Sequence, residues 1–244
     1  MRNLYYQRNS NTIVWGLSFC ITICVYQVIY GIETLNPTNI SWLMSAYHDW
    51  GQHYLGWAYY RSEPWGFPLG DISSLYYPVG TNVGLTDSIP LVAIFFKTFS
   101  GILPYDFQYF GLWLFACHFL AALYTGKILK LYNANILIQV VAITLIAINP
   151  ALIFRGIHPA LCSHFFIIAS IYNYLKPVDS TNARKVNLNQ IILFILAVGT
   201  NPYIAAMVAG FTIIIPLKHY INKDITLKWL FIAPLFVTWC CGMD

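Results

Sequence analysis

The chain has 244 residues, 58% of them hydrophobic and only 9% charged, with a mean hydropathy of +0.60. A soluble domain is about 25% charged, so a water-soluble globular protein is excluded. The net charge of +4 comes from Lys and Arg scattered along the chain, without a basic patch, nucleotide fingerprint or phosphate-cradling glycine loop, which excludes a nucleic-acid binder.

A helix needs about 20 apolar residues to cross the hydrocarbon core. Thr12 to Gly31 is the first such run. No small-residue cleavage site follows it, so it reads as a retained signal anchor. Further runs cover Phe107–Ile128, Ile136–Phe154, Ala160–Leu175, a short Leu188–Thr200, Tyr203–Leu217 and Trp229–Gly242. The expected fold class is all-α: a polytopic bundle of roughly seven transmembrane helices, one domain over residues 1–244. Residues 188–217 form either two spans or a broken hairpin.

The basic residues set the orientation. Arg2 and Arg8 precede the first span, Lys127 and Lys130 follow the second, and Lys176, Arg184 and Lys185 follow the fourth. Lys218, Lys223 and Lys228 follow the sixth. With seven spans all lie on one side, which the positive-inside rule makes cytoplasmic. The amino terminus is then cytoplasmic, and residues 32–106 form a large extracytoplasmic loop. That loop carries Glu33, Asp49, Glu63, Asp71, Asp87 and Asp106, six of the nine acids.

Within the loop, SWLMSAYHDWGQHYLGWAYYRSEPWGFPLG predicts a helix that starts near Ser41 or Ser45 and stops before Pro64. Asp49 and His53 are four apart and share a face, with Trp50, Tyr54, Trp57 and Arg61 on a neighbouring one. Such a helix would lie along the membrane surface with its aromatics at headgroup depth. Asp49 and His53 suit general-base chemistry or a divalent metal; an exposed ion pair is the plainer reading. Aromatic residues such as Trp57 are anchors and packing groups, or stack on a sugar. The segment Ser88–Leu103 is apolar but has Lys97 at its centre, which is costly at mid-bilayer. It reads as an interfacial or re-entrant helix with Pro90 in its first turn and Asp87 or Ser88 as its cap.

The second polar cluster is Arg155-Gly156-Ile157-His158-Pro159, between the third and fourth spans and facing the same side as the loop. Arg155 offers a planar fork of donors to a lipid-linked phosphate, and His158 could bind phosphate or a polar substrate. His164 falls inside the expected fourth span. Asn149-Pro150 and Asn201-Pro202 would break helices at span ends. The six cysteines lie in apolar runs with no metal-type or disulfide spacing.

The runs HDWGQHYLGWAYYRSEPWGFPLG, TDSIPLVAIFFKTFSGILP and DFQYFGLWLFACHFLAALYTGKIL resemble an uncharacterised bacterial membrane family similar to the C-class membrane glycosyltransferases, which use polyprenyl-phosphate sugars. The HPALCSH stretch is similar to a later motif of that family. The resemblance spans roughly residues 13 to 175. It implies a glycosyltransferase in which Asp49 deprotonates an acceptor hydroxyl while Arg155 and His158 stabilise the leaving phosphate. His53 would orient Asp49 or bind a divalent metal with it, and Trp57 and Arg61 would contact substrate. Its partners would be the polyprenyl-phosphate-linked sugar and the lipid bilayer. Members of that class are about twice as long, so this chain is expected to be an amino-terminal half. A lipid or solute transporter and a non-catalytic scaffold are the competing readings.

Overall fold

The computed structural model describes residues 2–44, 49–179 and 181–225. Among these are nine α-helices: α1 (Arg2–Ile29), α2 (Trp50–Tyr60), α3 (Pro90–Lys97), α4 (Phe110–Leu131), α5 (Ile136–Ala147), α6 (Pro150–Phe154), α7 (Phe165–Leu175), α8 (Ala183–Val198) and α9 (Pro202–Ile221). Short 3-10 turns cover Ile32–Leu35 and Arg155–Ile157, and β1 (Asp71–Ile72) pairs antiparallel with β2 (Thr81–Asn82).

Among the described residues, four stretches are long and apolar enough to cross a membrane: Thr12–Ile29, Phe110–Leu131, Ile136–Ile157 and Pro202–Ile221. The chain is therefore a predominantly helical membrane protein. Helices α7 and α8 have 11 and 16 residues. At 1.5 Å per residue they reach about 16 and 24 Å, short of a core about 30 Å thick. The expected fourth span starts late because residues 160–164 form turns, and α7 opens only at Phe165. The expected span Trp229–Gly242 lies outside the described residues.

Hydrogen bonds between helix ends show that successive bundle helices run in alternate directions. The Tyr26 hydroxyl, near the end of α1, donates to the Gly111 carbonyl at the start of α4 (2.9 Å). The Trp113 indole donates to the Pro159 carbonyl just before α7 (2.8 Å). The Leu91 N–H of α3 donates to the Gly199 carbonyl at the end of α8 (2.6 Å). At the opposite end Lys218 of α9 donates to the Tyr174 carbonyl of α7, and His219 meets Asn187 of α8 at 3.0 Å. One end of the bundle thus carries residues 32–109. The other carries Lys127, Lys130, Lys176, Arg184, Lys185 and Lys218.

Helix starts follow local chemistry. Asn135, Asn149 and Asn201 each accept a backbone N–H from the first turn of α5, α6 and α9 through their side chains. The two Asn-Pro pairs are therefore helix starts, with asparagine as cap and proline at the first position. Bundle helices meet where glycine allows it: a Cβ on Gly126 of α4 would press against Val14 of α1, and one on Gly111 would strike the Thr34 backbone. Bulky apolar side chains such as Val28 and Leu137 remain exposed, as lipid-facing positions should.

The described residues between 32 and 109 form a cap with its own core, built around Trp57, Tyr60, Ile72, Ile89, Tyr109 and Phe110. Helix α2 buries one face in this cap and leaves Gln52, Leu55 and Tyr59 exposed on the other. His53, Tyr54, Gly56, Trp57 and Tyr60 are all buried, and burial of each large side chain stabilises the cap by about 1.5–3 kcal/mol. Helix α3 is shorter than the expected Ser88–Leu103 and ends on Lys97, which the sequence places at its centre. The Lys97 ammonium is buried, lying 3.8 Å from the Tyr60 ring centroid and 5.0 Å from that of Trp65. Aromatic faces there replace part of the lost hydration.

Candidate functional site

The cap and the bundle meet where α2, the turn at residues 86–89 and the 3-10 turn Arg155–Ile157 converge. Trp50 starts α2 and donates its indole N–H to the Gly156 carbonyl (2.9 Å). One helical turn on, His53 is 2% exposed. Its Nδ1 lies 2.7 Å from the Thr86 carbonyl oxygen, and its Nε2 lies 2.9 Å from that of Ile157. His53 therefore ties the cap turn to the bundle turn.

The segment 86–88 can approach α2 because residue 56 is glycine. A Cβ there would run into Thr86 Oγ1 and Ser88 Oγ. Ser88 Oγ donates to the His53 carbonyl (2.7 Å). Asp87 and Ile89 both adopt left-handed backbone conformations, each with φ of 54°. Aspartate tolerates this conformation, but β-branched isoleucine rarely does. Strain of this kind persists only where the surroundings over-determine it, and it clusters at functional sites. Here it lets Ile89 drop into the cap core while Asp87 turns toward the bundle.

Asp87 is therefore not the cap of α3. Ile89 occupies that position, with no side-chain cap bond. The Asp87 carboxylate instead faces His158, with Oδ2 3.7 Å from His158 Nδ1. That is too long for a hydrogen bond, and Oδ2 is buried with no hydrogen-bond partner among the described residues. Burial pushes the Asp87 carboxyl up to about 6, an effect opposed by His158 and by the Ala160 backbone N–H. The side chain of His158 is 44% exposed, so the cluster opens to the outside. One ligand atom from each of His53, Asp87 and His158 lies within 4.8 Å of the others. This is a donor set for a metal ion, or equally a carboxylate flanked by two imidazoles for proton transfer.

The other sequence candidates fall around this cluster. Asp49 is exposed at the start of α2 and makes no capping bond. Its carbonyl accepts the His53 N–H (3.4 Å), so the two residues are one helical turn apart, but the Asp49 residue is exposed whereas His53 is buried. Arg155 is exposed on the 3-10 turn, three residues before His158. It lies close enough to act on His164, whose imidazole burial and then Arg155 hold below the usual range. His164 itself immediately precedes α7.

Trp57 is a core residue with no exposed surface, and its indole donates to the Phe107 carbonyl (2.8 Å). Arg61 spends its guanidinium on the carbonyls of Ser100, Leu103, Pro104 and Tyr105. Its side chain still lines a groove of about 770 Å³ with Tyr54, Tyr59 and Tyr105. Sequence reasoning named His53 and His158 but gave Asp87 a capping role.

No curated protein and no solved structure matches this sequence. A family model does match, over residues 19–243, and the chain belongs to that family, which is described as a domain of unknown function (DUF6311).

Proposed function

We propose that this chain works in a membrane glycosyltransferase that moves a sugar from a polyprenyl-phosphate donor to an acceptor outside the cytoplasmic membrane, with Asp87 as the acid at its centre. The observation that carries the reading is the Asp87 carboxylate. It has an oxygen without a hydrogen-bond partner and faces two histidines at the seam of cap and bundle. The lysines and arginines at the far end of the bundle support a cytoplasmic position for that end, which leaves the cluster outside. The sequence resemblance supplies the reaction class.

In this reading Asp87 accepts the proton of the acceptor hydroxyl. The hydroxyl oxygen forms the new bond to the anomeric carbon as the bond from that carbon to the phosphate oxygen breaks. The phosphate departs with the electron pair. Arg155 and His158 meet its charge at the exposed rim, since a guanidinium fork matches phosphate oxygens.

The test is transfer of a labelled sugar from a polyprenyl-phosphate donor by membranes that contain the protein. Asp87→Asn should lower transfer at least 100-fold, the scale of a lost general base, with the protein still present in the membrane. Full transfer by this variant would remove Asp87 from the mechanism. No transfer by the unaltered protein would favour a transporter or scaffold.

A further inference from the structure

We infer that His53, Asp87 and His158 hold a divalent first-row metal ion, with zinc the best match to two imidazoles and one carboxylate. The argument starts from hydrogen-bond accounting at His53. A metal-binding histidine usually donates its other ring N–H to a backbone carbonyl, which fixes the tautomer. Nδ1 of His53 has such a carbonyl in Thr86, at 2.7 Å. In the neutral ring Nε2 then carries the lone pair, and it faces the Ile157 carbonyl oxygen at 2.9 Å. Two acceptors at that distance repel unless a proton or a metal ion lies between them.

The neighbouring groups repeat the pattern. Asp87 Oδ2 is a buried acceptor with no donor among the described residues, and His158 Nδ1 approaches it to 3.7 Å. Ligands around tetrahedral zinc sit about 2.0–2.2 Å from the ion, which puts neighbouring donor atoms about 3.3 Å apart. The Asp87–His158 pair is already near that spacing. The full set, within 4.8 Å, needs a contraction of about 1.5 Å, which the half-exposed His158 side chain can supply by rotating.

Two nitrogen donors of three argue against magnesium or calcium, which prefer oxygen. The three side chains with the Ile157 carbonyl as a fourth donor complete a tetrahedral shell. A carboxylate bound through Oδ2 keeps its second oxygen for a proton. The inference does not depend on which group the protein transfers.

The experiment uses the purified chain without a polyhistidine tag, in detergent, stripped with a chelator and titrated with Zn²⁺ and with Co²⁺. One ion per chain is expected, with the visible d–d bands of four-coordinate Co²⁺ and no near-ultraviolet thiolate band. His158→Ala and Asp87→Asn should each weaken binding at least tenfold. His158 is half-exposed, so its variant should keep the thermal midpoint of the stripped wild type. Zn²⁺ should raise that midpoint in the wild type and not in the variants. Three results would overturn the inference: no bound ion, variants that bind as tightly as wild type, or a thiolate band that places the ion on cysteine. Binding is read without donor or turnover, so its failure is separate from failure of the transfer reaction.

Discussion

Two buried polar groups of similar appearance behave differently, one inside the bundle and one at its seam with the cap. In the bundle, Gln190 of α8 donates to Ser170 and Thr212 at 3.0 and 3.3 Å and accepts from Asn173 at 3.1 Å. Donors and acceptors match, and every partner is neutral. At the seam, acceptors outnumber donors: the Thr86 and Ile157 carbonyls and Asp87 Oδ2 face two imidazoles, each of which carries one N–H when neutral. The bundle network holds helices together where lipid offers no hydrogen bonds. The seam needs a proton or a cation to be satisfied. Polar burial alone therefore does not mark a site here; the excess of acceptors over donors does.

Three substitutions sharpen this contrast. The largest effect is expected from Gly56→Ala. Its Cβ meets Thr86 Oγ1 and Ser88 Oγ in the turn that aims Asp87, and overpacking should cost about 3 kcal/mol. The same change at Gly16 of α1 meets nothing within 4 Å and should stabilise by up to about 1 kcal/mol through helix propensity. Thermal unfolding in detergent compares the two. A seam variant as stable as the bundle variant would mean that the 86–89 turn is not packed as described. Gln190→Leu comes next. It leaves Asn173, Ser170 and Thr212 with fewer partners and should destabilise by about 1–3 kcal/mol, with zinc affinity unchanged. Loss of zinc binding in that variant would couple the two regions and break the comparison.

Most of the bundle was legible because its signals are local. Long apolar runs gave α1, α4 and α9, and Lys97 correctly barred α3 from being a span. The Asn-Pro pairs were visible but were read as breaks, although an asparagine before a proline is also a cap with its first helical residue. The cap was harder. Trp57 and Arg61 look like surface contacts on a helical wheel, but both bond to carbonyls distant in the chain, of Phe107 and of residues 100–105. Asp87 was misplaced for a related reason. Asp-Ser-Ile-Pro reads as a helix start, and nothing in those four letters shows that residues 87 and 89 adopt left-handed conformations. The meeting of residues 53, 87 and 158 is non-local and has no spacing signature.

The smallest effect is expected at Asp49, and it separates the sequence-based choice of acid from the structural one. Asp49 precedes the first turn of α2, is exposed, and makes no side-chain capping bond. Asparagine suits a helix N-cap as well as aspartate does, so Asp49→Asn should leave the thermal midpoint unchanged. It removes no ligand from the seam, so zinc affinity should hold as well. Sugar transfer should fall less than threefold, a change of about 0.6 kcal/mol in barrier height, against the 100-fold loss expected for Asp87→Asn. The reverse ranking, with Asp49→Asn inactive and Asp87→Asn active, would return the catalytic role to the start of α2 and leave the His53–Asp87–His158 cluster as a brace between cap and bundle.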